Sequence, residues 1–130
     1  MRIVIDCNVL VSAARSGGIC ASVIFEAMRD CQPVLSRAIV EEYKAVAGRP
    51  KHARYCAGFL AVIAELERVA VFVEPANTVF GLSDPDDEIY LAAATTGGAA
   101  LITGNSRDFT EPRYGSVEVF SPRSFIDRTD

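Results

Sequence analysis

Short unbroken apolar runs alternate along the chain with longer stretches whose apolar residues recur every three or four positions. Ile3, Val4 and Ile5 make the first run, a β-branched series that predicts a strand buried on both faces. A carboxylate, Asp6, follows at once. Val9, Leu10 and Val11 then resume the apolar pattern behind Asn8, a good helix N-cap residue. A break at Ser16-Gly17-Gly18 leads into a second helix over 19–29, with Val23, Phe25, Ala27 and Met28 as its apolar content. Gln32-Pro33-Val34-Leu35 predicts a second strand. Ser36 then caps a helix through Ile39, Val40, Tyr43 and Val46, which Gly48 and Pro50 stop.

Past the basic segment 49–54, the helical spacing of Phe59, Leu60, Ile63 and Leu66 predicts a long helix over 53–68. Val71-Phe72-Val73 reads as a third strand, and residues 74–85 as a loop rich in turn formers. An alanine-rich helix over 86–96 ends at Gly97-Gly98, and a fourth strand follows over 99–103. Residues 104–116 read as loop, Val117 to Phe120 as the last strand, and Ser121-Pro122 as the start of a terminal helical turn. Apolar strands alternating with helices predict an α/β fold. Its architecture is three-layer α/β/α and Rossmann-like, with a central, mainly parallel sheet of about five strands and right-handed crossovers. No repeat, low-complexity tract or linker interrupts the 130 residues, so 1–130 reads as a single domain.

Half of the residues are hydrophobic, which excludes a disordered tail. No apolar run approaches the roughly 18 residues of a membrane span. Asp6 interrupts the first apolar run after three residues, unlike a signal peptide, so a cytoplasmic location is expected. Cys7, Cys20, Cys31 and Cys56 lack metal spacing and read as reduced thiols. A net charge of −4 argues against a surface that coats nucleic acid, yet acids gathered at one site would produce that total in a nucleic-acid enzyme.

The acids fall at four places that a parallel sheet carries towards one edge. Asp6 follows the first strand. Glu42 borders the inward face of the helix after the second strand, beside Tyr43. Asp84 and Asp87 flank the start of the alanine-rich helix, and Asn105 and Asp108 follow the fourth strand. Each has a plain structural explanation. Asp6 could cap the next helix, Asp84 and Asp87 suit an ordinary helix opening, Glu42 a solvated helix face, and Asn105 a turn. Together they point elsewhere. Several carboxylates in one cleft repel one another, and hard oxygen ligands without cysteine or histidine select Mg2+ or Mn2+. Such ions lower the pKa of bound water and stabilise in-line phosphoryl displacement. The sole histidine, His52, lies in the basic segment, which disfavours a zinc site or a histidine general base.

Taken in order, IDCNVLVSA, SRAIVEEYKAVAGRPK, LSDPDDEIYLAAATTGGAALITGNSRDF and the terminal SPRSFID resemble the PIN-domain ribonucleases. The resemblance is nearest to the VapC-like toxins of bacterial toxin–antitoxin pairs. It spans nearly the whole chain and implies a PIN-like fold and a Mg2+- or Mn2+-dependent endoribonuclease that hydrolyses RNA phosphodiesters. It implies metal-binding and catalytic roles for Asp6, Glu42 and Asp87, with Asp84 beside them and Asn8 and Ser12 as supporting polar residues. Many members carry aspartate where this chain has Asn105. Others have asparagine followed three residues later by an acid, here Asp108, which joins the site on that pattern, while Asn105 can ligate the metal or orient water through its amide oxygen. The implied mechanism makes Arg49, Lys51, His52, Arg54 and Arg107 candidate phosphate contacts. A silencing antitoxin and a homodimer are implied by the resemblance alone.

Two other readings share these residues. Asn105 permits a PIN-like RNA-binding module of weak or absent catalysis. An aspartate after an early strand also suits a phosphoacceptor or phosphatase domain, but a receiver needs a late lysine and none follows Lys51.

Overall fold

The computed structural model describes residues 1–76, 80–82 and 84–128. The turn-rich loop expected over 74–85 includes positions 77–79 and 83, which lie outside the described residues. The first strand, β1 (Arg2–Ile5), carries Ile3, Val4 and Ile5 at 0–2% exposure. Successive side chains of a strand point to opposite faces, so helices must cover both. Around β1 lie β2 (Gln32–Leu35), β3 (Val71–Phe72), β4 (Ala100–Ile102), β5 (Arg113–Tyr114) and β6 (Val117–Phe120), in the order β3-β2-β1-β4-β6-β5. All neighbours pair in parallel except β5 with β6. The α/β layering and the mainly parallel sheet agree with expectation, and β5 adds a short edge strand to the five. Arg113-Tyr114 folds back on Val117-Glu118 through a turn at Gly115, where φ of 59° favours glycine. A two-residue antiparallel edge strand has no hydrophobic run to announce it, and the segment read as loop.

Chain order reverses at β1: β2 and β3 extend one way, β4 and β6 the other. The crevice of such a sheet lies at the carboxyl ends of the two strands flanking this switch point. Ile5 pairs with Ile102, so the residues that next leave the sheet, Asp6 and Thr103, emerge side by side.

Six helices supply the outer layers among the described residues: α1 (Cys7–Ser16), α2 (Gly18–Asp30), α3 (Arg37–Ala47), α4 (Cys56–Val69), α5 (Glu88–Gly97) and α6 (Pro122–Asp127). Gly17 separates α1 from α2, with φ at 69° and the two axes bent by 120°. No single helix among the described residues is long and apolar enough to cross a membrane. Ser36 caps α3 as expected, accepting from the Ile39 amide, and Ile39, Val40, Tyr43 and Val46 face the core. The helix expected from 53 begins instead with a 3-10 stretch, Pro50–Tyr55, and turns α-helical at Cys56. The one expected from 86 likewise opens as a 3-10 turn, Pro85–Asp87, before α5. The four cysteines are free thiols.

Candidate metal centre

Asp6, not Asn8, caps α1. Its carboxylate accepts from the Asn8 amide at 3.4 Å and from Asn8 Nδ2 at 3.2 Å. Asn8 sits inside the helix, and its other amide atom accepts from the Gly104 N–H at 3.0 Å, joining α1 to the loop after β4. Thr103 completes the cradle: its hydroxyl donates to Asp6 Oδ2 at 2.8 Å. Asp6 is 4% exposed. Burial raises its pKa and the Glu42 charge adds to that, against the opposing bonds from Thr103, Asn8 and Cys7. Two buried tyrosines brace the strand end from below. The Tyr43 hydroxyl donates to the Ile5 carbonyl, and the Tyr90 hydroxyl accepts from the Cys7 N–H at 3.3 Å.

Among the described residues, the tightest gathering of acids joins the turn before α5 to the loop after β4. Carboxylate oxygens of Asp84, Asp87 and Asp108 all fall within 4.8 Å of one another. Asp84 caps the 3-10 turn by accepting from the Asp86 N–H at 2.9 Å, as its position before Pro85 predicts. Asp87 closes that turn where α5 begins. Glu88, the next residue, accepts from the Phe80 and Leu82 amides at 2.9 Å each and so fixes the approach to the turn. On the β4 side, Asn105 Nδ2 donates to Asp108 Oδ2 at 2.8 Å, while Asn105 Oδ1 accepts from the Asp108 N–H at 3.2 Å. The asparagine therefore orients a carboxylate rather than adding one.

Asp87 carries the electrostatic load. Burial, a hydrogen bond shared with Asp108 and the charges of Asp6, Asp84 and Asp108 push its carboxyl up to about 7. Its Oδ2 is buried and has no hydrogen-bond partner. A cation among these oxygens would satisfy that atom and relieve the repulsion, and an all-oxygen donor set suits Mg2+ or Mn2+. The cluster could hold a metal ion. It differs from the expected trio: Asp6 and Glu42 stand outside the 4.8 Å group. They are near enough for the Asp6 charge to raise Asp87 and the Glu42 charge to raise Asp6.

A family model described as PIN domain matches residues 2–107, most of the chain. The chain belongs to the PIN-domain family. Similar solved structures include VapBC from Salmonella typhimurium bound to DNA, at TM-score 0.69 and 15% identity over 94% of this chain and 98% of that one. VapBC2 from Rickettsia felis, bound to a DNA fragment from its promoter, gives 0.65 and 11% over 93% and 98%. VapBC-1 from nontypeable Haemophilus influenzae gives 0.64 and 16% over 95% and 99%. At these identities the likeness is one of fold. No curated protein matches the sequence.

Within this PIN domain the remaining candidate residues divide. Asn8 and Ser12 lie along α1 beside the cleft, Ser12 and Asn105 lining one shallow pocket. Arg49, Lys51 and Arg54 are exposed and line a separate concavity that also reaches Asn8. Arg107 is exposed on the loop between Asn105 and Asp108. His52 departs from expectation as a phosphate contact. It is 4% exposed, its Nδ1 lies 2.6 Å from the Tyr55 hydroxyl, and its ring packs 6.2 Å from Phe59. Burial and the nearby Lys51, Arg49 and Arg15 charges lower its pKa, so it is a neutral packing residue at pH 7. Thr103, Tyr90 and Glu88 lie outside the set of candidate residues. For Thr103 a signal existed: a hydroxyl residue ends the strand that neighbours the one ending in Asp6.

Proposed function

We propose that this PIN domain is a Mg2+- or Mn2+-dependent endoribonuclease of the VapC-like toxin type, acting in the cytoplasm. The observation that carries the reading is the buried, unpartnered Asp87 oxygen inside the Asp84–Asp87–Asp108 cluster, close enough to Asp6 for that charge to raise the Asp87 carboxyl. Asp84, Asp87 and Asp108 would hold an ion, with the Asp6 charge acting on Asp87 and the Glu42 charge on Asp6.

When bound, the ion supplies an activated water at neutral pH and neutralises charge on the phosphodiester. The chain's own groups prepare the site for it. Thr103 and Asn8 hold the Asp6 carboxylate in one orientation, and Asn105 does the same for Asp108. Asp87, with its carboxyl pushed up to about 7, gives up a proton as the site loads. Exposed arginines and Lys51 around the cleft favour a polyanion despite the net charge of −4.

An antitoxin partner belongs to the same proposal. The VapBC structures that share this fold support it, and so does an apolar hollow between α1, α2 and α4 lined by Ile24, Met28, Val62 and the 61%-exposed Phe25. The nuclease reading is tested by cleavage of single-stranded RNA with Mn2+. Asp87→Asn and Asp6→Asn are each expected to lose at least about 100-fold, since partners that merely orient metal ligands already cost 10–100-fold. Cleavage unchanged in Asp87→Asn sinks the assignment.

A further inference from the structure

The 13 lysines and arginines differ sharply in their partners. Seven, among them Arg29, Lys44 and Arg128, form ion pairs with Asp or Glu. Arg2 donates to the Gly97 carbonyl. The remaining five, Arg15, Arg49, Lys51, Arg54 and Arg107, make no ion pair or side-chain hydrogen bond among the described residues. Four of these five surround one concavity of about 670 Å3. Arg15 alone would be explained by the last turn of α1, where a cation suits the helix dipole. Four unneutralised cations around one hollow, in a chain of net charge −4, repel one another and are relieved by an anion.

The hollow has a second, apolar character. Val11, Val46 and Tyr55 contribute to its walls. The Tyr55 ring is fixed through its hydroxyl to His52 Nδ1 at 2.6 Å, and the rings of His52 and Tyr55 stand 5.3 Å apart. This gives the buried histidine a purpose that a phosphate contact did not. The volume falls within the roughly 300–1,000 Å3 of small-ligand sites. Cys7 and Asn8, which follow Asp6 in sequence and hydrogen-bond to its carboxylate, also line the hollow and so connect it to the acidic site.

We propose that this concavity holds one nucleotide of a single-stranded substrate, its phosphate against Arg15, Arg49, Lys51 and Arg54 and its base against Val11, Val46 and Tyr55. The identity of the ligand rests on the nuclease reading. Paired bases stay inside the duplex stack, whereas an unpaired base can turn out and lie on an aromatic face, so the site excludes duplex RNA. The concavity thereby fixes the register in which a strand crosses the acidic cleft.

Binding to the full chain in EDTA tests this without catalysis, read by NMR amide shifts. The probes are nucleoside 5′-monophosphates, ribose 5-phosphate and a hexaglutamate peptide. The monophosphates are expected to shift Val11, Val46 and Tyr55 and to bind at least about 10-fold tighter than ribose 5-phosphate, the margin one stacked base supplies. The double variant Arg15→Ala, Lys51→Ala, altered at two exposed positions, is expected to keep its fold and lose most of that binding. Equal binding of ribose 5-phosphate, or undiminished nucleotide binding by the double variant, overturns the proposal. So does tighter binding of the acidic peptide, which would make the hollow a protein contact. RNA cleavage assayed separately keeps the two ideas apart: nucleotide binding without cleavage defeats the nuclease reading alone, and cleavage without nucleotide binding defeats this one alone.

Discussion

Thr103 Oγ1 donates to Asp6 Oδ2 at 2.8 Å across 97 positions of sequence. The bond follows from sheet register. Ile5 pairs with Ile102, the Asp6 N–H donates to the Ile102 carbonyl at 2.9 Å, and the next side chains meet beyond the strand ends. The same hydroxyl accepts from the Asn105 N–H at 3.0 Å, so one atom ties the β1 acid to the loop that carries Asp108.

Thr103→Val keeps the shape and removes these two bonds and the longer one, at 3.5 Å, that Asn8 Nδ2 donates to the hydroxyl. A hydrogen bond to a charged group contributes about 1.5–3 kcal/mol, and that loss is expected in urea unfolding at pH 7.5. Thr103→Ser, which keeps the hydroxyl, should stay within about 1 kcal/mol of the parent. Equal stability of the valine and serine variants would show that the bond does not hold Asp6.

The raised Asp87 carboxyl makes metal-free stability pH-dependent. Its folded value is pushed up to about 7 from an ordinary 3.8, so the folded state holds the proton more tightly than the unfolded chain. That contribution is complete below 3.8 and is lost as pH rises towards 7. In EDTA the melting temperature is therefore expected to fall between pH 4 and pH 8, and to fall less in Asp87→Asn. Mn2+ should restore the parent at pH 8 by mass action and leave the variant unmoved. Identical pH profiles for the two proteins would contradict the assignment of the strain to Asp87.

Asn105 engages Asp108 through both atoms of its side-chain amide. Asn105→Asp replaces the Nδ2 donor to Asp108 with a second acceptor, while the acceptor for the Asp108 N–H remains. The metal-free variant is expected to lose about 1–3 kcal/mol at pH 8, from the lost amide bond and the repulsion of two adjacent carboxylates. At pH 4.5 the loss should shrink, because a protonated carboxyl can donate again. The added charge should also enlarge the melting shift produced by Mn2+. A variant as stable as the parent at pH 8 would mean that the amide bond to Asp108 is not maintained in solution.

How far the sequence disclosed this site depended on the range of the interactions involved. β1, β2, β4 and β6 were legible because buried parallel strands are written as local apolar runs, and Ser36, Asp84 and Ser121 because caps are decided within three residues. The edge strand β5 was not, since its pairing with β6 has no apolar signature. Among site residues, the acids could be placed at one sheet edge, but not ranked. That Asp84, Asp87 and Asp108 converge more tightly than Asp6 and Glu42 depends on how the 3-10 turn before α5 faces the loop after β4, a tertiary fact. For His52, the charged neighbours are visible in sequence and the packing against Tyr55 and Phe59 is not.

The acids at the start of α5 depend on what happens at its other end. Gly97 lies directly over β2: a Cβ there would stand 2.8 Å from Val34 Cγ1, closer than real carbons approach. Val34 is 1% exposed and has no solvent to turn into. Gly97→Ala must therefore lift α5 or shift β2, and overpacking of this kind costs about 1–3 kcal/mol. Because α5 is a rigid ten-residue helix following directly on Asp87, lifting its far end also disturbs the Asp84–Asp87–Asp108 spacing. The variant is expected to lose stability in urea and to show a smaller melting shift with Mn2+. Val34→Ala alone opens a cavity and is destabilising, but in the Gly97→Ala background it removes the clashing methyl, so the double variant should be more stable than the sum of the two singles. Strict additivity would mean that the helix does not press on Val34 and that its placement over β2 leaves room for a methyl group.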